Sequence, residues 1–141
     1  MIDLENATKT YRCGDETINA VDGVNLRIRD GEYVAIVGHS GSGKTTLVSL
    51  VGGLTRPTSG TVRMEGTDIW SLNNKELARL RSEEIGFCFQ FPSLVATLTC
   101  VDNVRLPASF AAGQRGSRER AMELLELVAL PGKAGAYPSE L

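Results

Sequence analysis

The sequence predicts an α/β fold in which a short buried strand leads through a glycine-rich loop into a helix. Residues 33–37, YVAIV, form an apolar, β-branched run that is typical of a buried strand. The next eight residues, GHSGSGKT from Gly38 to Thr45, fit the pattern G-x-x-x-x-G-K-[ST] at every fixed position. The segment TTLVSLVGGL then predicts a helix from about Lys44 to Leu54. Strand, loop and helix in this order are the context that the pattern requires.

The glycine-rich loop is a candidate phosphate-binding site. Its glycines let successive backbone N–H groups turn toward one anion, and the helix N-terminus adds partial positive charge. In such loops the lysine holds the β- and γ-phosphates of a nucleotide and the next hydroxyl holds Mg²⁺, roles that fall to Lys44 and Thr45. The residues predicted to contact the nucleotide are Gly38, His39, Ser40, Gly41, Ser42, Gly43, Lys44, Thr45 and Thr46. The alternative is a glycine-rich turn with one solvated lysine, which would require the strand, spacing, Lys-Thr pair and helix to coincide by chance.

Antiparallel β structure is predicted before the loop. Apolar residues alternate with polar ones in two stretches: Ile2 and Leu4, and then Val24, Leu26 and Ile28. Asp30-Gly31 is a hairpin signal, so we expect the strand at 33–37 to pair at first with the strand before it.

Two elements are predicted after the loop helix. Turn residues at 55–60 precede a strand from Thr61 to Glu65, which places Val62 and Met64 on one face. A helix follows, with Asn73 or Ser71 as its cap and Leu72, Leu77 and Leu80 as its apolar positions. Residues 1–37 and 60–68 are therefore expected to be mostly β, and 38–54 to form the loop and its helix.

A second buried strand is predicted at residues 85–89, IGFCF, which lead to the polar residue Gln90 within a loop region at 85–94. Ligands bind at the carboxyl edge of open α/β sheets, so Gln90 is a candidate site residue. Residues 99–141 are expected to be helical. There, Thr99 opens a short helix toward Val104, and Ser117 caps a helix ending near Val128, with Leu124, Leu125 and Val128 as its apolar stripe.

Composition limits the class of partner and the compartment. The 141 residues include 15 Lys plus Arg and 17 Asp plus Glu, a net charge of −2, so we expect no nucleic-acid partner. No apolar stretch is long enough to cross a bilayer and the N-terminus lacks signal-peptide features, which predicts a cytoplasmic protein. Cys13, Cys88 and Cys100 show no C-x-x-C spacing and are expected to be reduced thiols, buried as small hydrophobes.

The motif GHSGSGKTT, with Tyr11 upstream and IGFCFQ downstream, resembles the nucleotide-binding domain of an ABC transporter, and the resemblance covers the whole chain. The strings TKTY, LTRPTSGTV and IGFCFQFPSLVATLTCVDNVRLP are similar to the subfamily that serves lipoprotein release and macrolide-type export. The resemblance implies a P-loop NTPase fold of the ABC ATPase type with an N-terminal antiparallel β subdomain. It also implies an ATP-binding subunit that uses ATP and Mg²⁺ to drive transport across a membrane.

The resemblance assigns roles to individual residues. Tyr11 is the candidate for stacking on adenine, with packing on the β layer as the alternative. Gln90 corresponds to the catalytic glutamine that contacts Mg²⁺ and the attacking water, with a plain strand-end glutamine as the alternative. Phe91 and Leu94 are expected near the surface that receives a transmembrane subunit. The implied partners are that subunit and a second nucleotide-binding domain, which place the protein at the inner face of the membrane.

The last residues, YPSEL, resemble the run that leads into the family signature L-S-G-G-Q, of which only Leu141 is present. Downstream in the family come core strands beside the loop strand, an apolar strand ending in Asp and the catalytic Glu, and a switch histidine. No apolar run here ends in Asp-Glu, and the single histidine is His39 in the loop. We therefore expect the 141-residue chain to bind ATP without efficient hydrolysis.

A small GTPase or a kinase with the same loop is the alternative class. The guanine-binding pattern N-K-x-D is missing, because Asn74-Lys75-Glu76 is followed by Leu77. No acceptor-site feature indicates a kinase. Nucleotide preference, measured with and without a membrane partner, would discriminate these classes.

Overall fold

The computed structural model describes residues 1–91, 93–110 and 116–141. The chain forms two compact units, Met1–Arg81 and Ser82–Leu141. The first contains a sheet, one helix and most of a second helix, whose last residues, 82–84, belong to the second unit together with several further helices.

A four-stranded antiparallel sheet forms the first unit, in the order β2-β1-β3-β4. Its strands are β1 (Ile2–Cys13), β2 (Glu16–Ile28), β3 (Ser59–Met64) and β4 (Thr67–Asp68). Leu4 of β1 lies opposite Leu26 of β2 and Val62 of β3, so three apolar side chains line up across the sheet. Leu4 and Val62 are buried, which confirms the predicted alternation in β1 and β3.

Helix α1 (Lys44–Val51) follows the glycine-rich loop and lies against β1 and β2, and its Leu50 is buried. The helix ends three residues before the predicted Leu54. Gly53 adopts a φ of 64°, in the left-handed region that terminates helices, and its N–H donates to the Leu50 carbonyl at 3.1 Å.

Helix α2 (Asn74–Glu84) begins with the predicted cap. The Asn73 side-chain oxygen accepts hydrogen bonds from the N–H groups of Lys75 and Glu76, both at 3.0 Å. The Glu76 carboxylate in turn accepts the Asn73 N–H at 3.0 Å, which completes a reciprocal capping box. Of the predicted apolar positions, Leu77 is buried.

The described residues of the second unit form α3 (Cys100–Arg105), α4 (Arg118–Leu127) and three short 3₁₀ helices, Leu106–Ser109, Pro131–Lys133 and Pro138–Glu140. Thr99 and Ser117 cap α3 and α4, as predicted. The hydroxyl of Thr99 also donates to Asp102 at 2.6 Å, and this bond, together with Arg105, lowers the pKa of that carboxyl.

The buried cluster of this unit differs from the predicted stripe. Its members are Cys100, Val101, Ala121, Leu125 and Ala134. Leu125 is buried as predicted, but Leu124 and Val128 are exposed, because Ala121 rather than these two faces α3. The three cysteines are free thiols, although only Cys100 is buried, so the expected burial is wrong for Cys13 and Cys88.

The two predicted buried strands are the main differences. Residues 33–37 and 85–89 belong to no strand or helix of the described chain. Asp30-Gly31 does form a turn, in which Glu32 N–H donates to the Arg29 carbonyl at 3.1 Å, yet no hairpin follows it. A strand exists only with a hydrogen-bonded neighbour, and β2 pairs with β1 instead.

Candidate phosphate-binding site

Two glycines shape the loop between residues 33–37 and α1. Gly41 and Gly43 have φ values of 79° and 88°, in the left-handed region that other residues rarely adopt. The N–H of Ser42 donates to the His39 carbonyl at 3.2 Å, which closes the turn between them. Gly43 then caps α1, and its carbonyl accepts the first helical bond from Leu47 at 2.8 Å.

Gly43 also lies against the sheet. A Cβ placed on it would lie 2.0 Å from the carbonyl oxygen of Ala20 in β2. Gly41, by contrast, has open space where its Cβ would be. Only the second of these glycines is therefore required by contact as well as by conformation.

Lys44 folds back over the loop. Its Nζ donates to the carbonyls of Gly38 and His39, at 2.8 and 2.6 Å. Lys44 is half-buried as a residue, and its ammonium is held against the loop by two backbone oxygens. The first turn of α1 carries no acidic side chain, so both the lysine and the helix N-terminus favour an anion here.

The remaining loop residues are accessible. His39, Ser40, Gly41, Ser42 and Thr45 are exposed, and Thr46 is half-buried. The Thr45 carbonyl accepts a hydrogen bond from the Ser49 hydroxyl at 2.8 Å, which fixes the first turn of α1. The Thr45 hydroxyl is a hard oxygen donor of the kind that Mg²⁺ prefers. Among residues 1–91, 93–110 and 116–141, no group of three or more His, Cys, Asp or Glu side chains is placed to hold a metal ion.

Tyr11 lies in the same unit as the loop, near the end of β1, with 43% of its surface exposed. The Nζ of Lys9 lies over its ring, 5.2 Å from the centroid. The exposed ring suits a stacking role better than the alternative of burial against the sheet.

Gln90 belongs to the second unit, where it is exposed within a bend. The rings of Phe87 and Phe89 stack in parallel before it, with centroids 5.7 Å apart. After it, Phe91 and Leu94 are exposed, Phe91 by 77%. The sequence-predicted residues thus divide between the units, with the loop and Tyr11 in one and Gln90 in the other.

Three contributors to these sites were not predicted. The Ala20 carbonyl lies against Gly43 of the loop, and the Lys9 ammonium lies over the Tyr11 ring. Asn103 of α3 supports the chain after Gln90, because its side-chain amide donates to the carbonyls of Val95, Leu98 and Thr99 at 3.0–3.1 Å. Only Lys9 had a usable signal, its i, i+2 spacing from Tyr11 on one strand.

A family model described as ABC transporter matches residues 21–140, which include the loop, α1 and Gln90. The chain belongs to the ABC transporter family. This confirms the family that the sequence motifs indicate.

Similar proteins within the ABC transporter family include an exporter and an importer. The chain is 45% identical over 144 residues to the macrolide export ATP-binding/permease protein MacB of Rhodopirellula baltica. It is 43% identical over 142 residues to the methionine import ATP-binding protein MetN of Geobacillus kaustophilus. Each alignment covers 100% of this chain, but only 21% of that MacB and 41% of that MetN.

A solved structure supports the fold. The dimeric, post-hydrolysis state of the ATP-binding cassette MJ0796, bound to ADP and Pi, matches with a TM-score of 0.91 and 40% identity. MJ0796 comes from Methanocaldococcus jannaschii. The match covers 100% of this chain and 63% of that one, so the chain spans less than two thirds of each of these relatives. The α/β ABC ATPase fold is thereby confirmed. The described part of the chain contains no helix with the length and hydrophobicity needed to cross a membrane.

Proposed function

We propose that this chain is an ATP-binding module of an ABC transporter and that it binds Mg²⁺-ATP at the loop Gly38–Thr45. The observation that carries this proposal is the position of Lys44, whose ammonium is held inside the loop at the N-terminus of α1. A positive group, exposed loop residues and a helix N-terminus follow one another within this segment, a combination that suits a polyphosphate.

The individual roles follow from the chemistry of each side chain. Lys44 neutralises the β- and γ-phosphates, for which it exchanges its carbonyl contacts at 2.6 and 2.8 Å for charged oxygens. The Thr45 hydroxyl would hold Mg²⁺, which would supply charge neutralisation at the phosphates. The role of Gln90, contact with Mg²⁺ and with the attacking water, stays the prediction that the resemblance to the family implies. Tyr11 offers a flat aromatic face to the adenine.

The partners proposed for this module are a transmembrane subunit and a second nucleotide-binding domain. The exposed side chains of Phe89, Phe91 and Leu94 around Gln90 favour a protein-binding surface there, because three apolar groups lie in one short segment. The MJ0796 cassette was solved as a dimer, which supports pairing of two such modules. Binding to a membrane subunit would hold the protein at the cytoplasmic face of the membrane.

Export is favoured by the resemblance to the macrolide-export subfamily and by the similarity to MacB, but MetN matches with nearly the same identity. In this family the substrate is selected by the membrane subunits. The proposal for this chain is therefore nucleotide binding that drives transport, with export as the favoured direction.

The test is a titration of a labelled ATP analogue with Mg²⁺ against wild type, Lys44→Ala and Lys75→Ala. Lys75 is an exposed lysine of α2, so its variant controls for the loss of one positive charge. Loss of hydrogen bonds to a charged group costs about 1.5–3 kcal/mol, so Lys44→Ala should weaken binding by about 10- to 150-fold. Equal affinity of wild type and a folded Lys44→Ala variant would contradict the proposal.

A further inference from the structure

The ammonium of Lys9 is fixed between two partners in the first unit. Its Nζ donates to the carbonyl of Arg56 at 2.8 Å and lies 5.2 Å from the centroid of the Tyr11 ring. Lys9 is half-buried, whereas Tyr11 is 43% exposed. The lysine is therefore the more restrained member of the pair.

The turn that carries the Arg56 carbonyl is itself attached to β1. Thr58 N–H donates to the Thr8 carbonyl at 2.7 Å, and Thr10 N–H donates to the Thr58 hydroxyl at 3.0 Å. These bonds flank Lys9 on both sides in sequence. These two bonds fix the position of the Arg56 carbonyl relative to β1, and therefore the position of the Lys9 ammonium that donates to it.

The distance between Nζ and the ring excludes a base between them. A stacked base needs roughly 3.5 Å on each of its faces, or about 7 Å between the ring and the ammonium. The observed separation is 5.2 Å. An adenine that stacks on Tyr11 must therefore use the face opposite Lys9.

We propose that Lys9 is a positioning residue for nucleotide binding: it covers one face of the Tyr11 ring, fixes the orientation of that ring and leaves the other face for the base. This inference rests on the proposed function, in which Tyr11 contacts adenine. A cation over an aromatic face is attracted by the quadrupole of the ring, and the Arg56 carbonyl keeps the cation in place. The competing explanation is structural, in which Lys9 only fastens the 55–58 turn to β1.

The experiment compares the affinities for Mg²⁺-ATP and for Mg²⁺-tripolyphosphate, which has no base, by calorimetry on the 141-residue chain. The variants are Lys9→Met, Lys9→Gln, Lys9→Arg and Tyr11→Leu, with Lys75→Met as the control for charge. Lys9→Gln keeps a donor for the Arg56 carbonyl but removes the cation, so it retains the fastening and loses the ring contact. Lys9→Arg keeps both.

We expect Lys9→Met and Lys9→Gln to weaken ATP binding about two- to fivefold, the scale of an exposed cation–π contact, with tripolyphosphate unchanged. Lys9→Arg should bind ATP like wild type. In the Tyr11→Leu background, Lys9→Gln should cause no further loss, because the lysine acts through the ring. Wild-type ATP affinity in Lys9→Gln, or an equal loss for both ligands, would overturn the inference.

The same measurements separate this inference from the function on which it rests. If wild type bound neither ATP nor tripolyphosphate, both proposals would fail. If wild type bound both but Tyr11→Leu lost no ATP affinity, nucleotide binding would stand and the roles of Tyr11 and Lys9 would fall together.

Discussion

Replacement of Gly43 by alanine tests the contact between the glycine-rich loop and the sheet, and Gly41→Ala supplies a matched control. Both glycines have left-handed φ values, 88° and 79°, so both alanines carry the conformational cost of about 1–2 kcal/mol. Both also gain about 0.4–1 kcal/mol, because alanine restricts the unfolded chain more than glycine does. These contributions cancel in the comparison.

The variants differ in their surroundings. A Cβ on Gly43 would lie 2.0 Å from the Ala20 carbonyl oxygen, whereas a Cβ on Gly41 meets nothing within 4 Å. An ordinary carbon–oxygen contact is about 3.3–3.6 Å, so the loop or β2 must move by more than about 1 Å. Forced rearrangement of this kind costs about 1–3 kcal/mol. We therefore expect Gly43→Ala to be less stable than Gly41→Ala by that amount.

Urea unfolding followed by tryptophan fluorescence measures the difference. The single tryptophan, Trp70, is half-buried in the same unit as the loop. With a urea slope of about 1–3 kcal/mol per M, the midpoint of Gly43→Ala should lie roughly 1 M below that of Gly41→Ala. Equal midpoints would show that the Ala20 contact does not support the loop.

Turnover, self-association and the charge of Asp102 can each be tested separately. A polypeptide of these 141 residues should bind ATP without steady hydrolysis, because no apolar run in it ends in Asp-Glu and so it lacks the carboxylate that would activate water. Phosphate release clearly above that of a Lys44→Ala control would refute this prediction. Residues 33–37 should promote self-association, because Tyr33 and Val37 are 94% and 86% exposed and no strand of the described chain pairs with them. Light scattering that shows a monomer at every concentration, together with one sharp thermal transition, would contradict this prediction. Asp102→Asn should destabilise the protein more at about pH 7 than at about pH 2.5, because folding lowers the pKa of Asp102. The ionised carboxylate therefore stabilises the folded state above about pH 4, and this stabilisation is lost as the pH falls through the pKa of the folded state. Equal shifts of the urea midpoint at both pH values would show that the charge does not contribute.

The features predicted correctly from the sequence are those determined by neighbours a few residues away. Asn73, Thr99 and Ser117 each bond to an N–H group within three residues, so the sequence alone places the start of each helix. The alternation in β1 and β3 was equally informative, because one face of each strand is buried.

The strands at 33–37 and 85–89 could not be predicted in the same way. Their apolar, β-branched or aromatic residues favour strands, but a strand also needs a hydrogen-bonded neighbour, and local composition carries no information about whether that neighbour is present. The prediction of which residues are buried in α4 is partly wrong for a related reason. Leu124 and Val128 are as apolar as Leu125, and only the position of α3 decides which of them is covered.

The glycine-rich loop depends both on its local sequence and on contacts with residues that are distant in sequence. Its residue types fit a local pattern, which is why the sequence alone predicts a phosphate-binding loop here. Its shape in this chain depends on β2, through the approach of Ala20 to Gly43, and on the two carbonyls that hold Lys44. None of these contacts involves residues 33–37. Because the loop is supported from β2 and α1, its geometry does not depend on pairing of the segment before it, and we expect the proposed nucleotide binding not to require that segment to be paired.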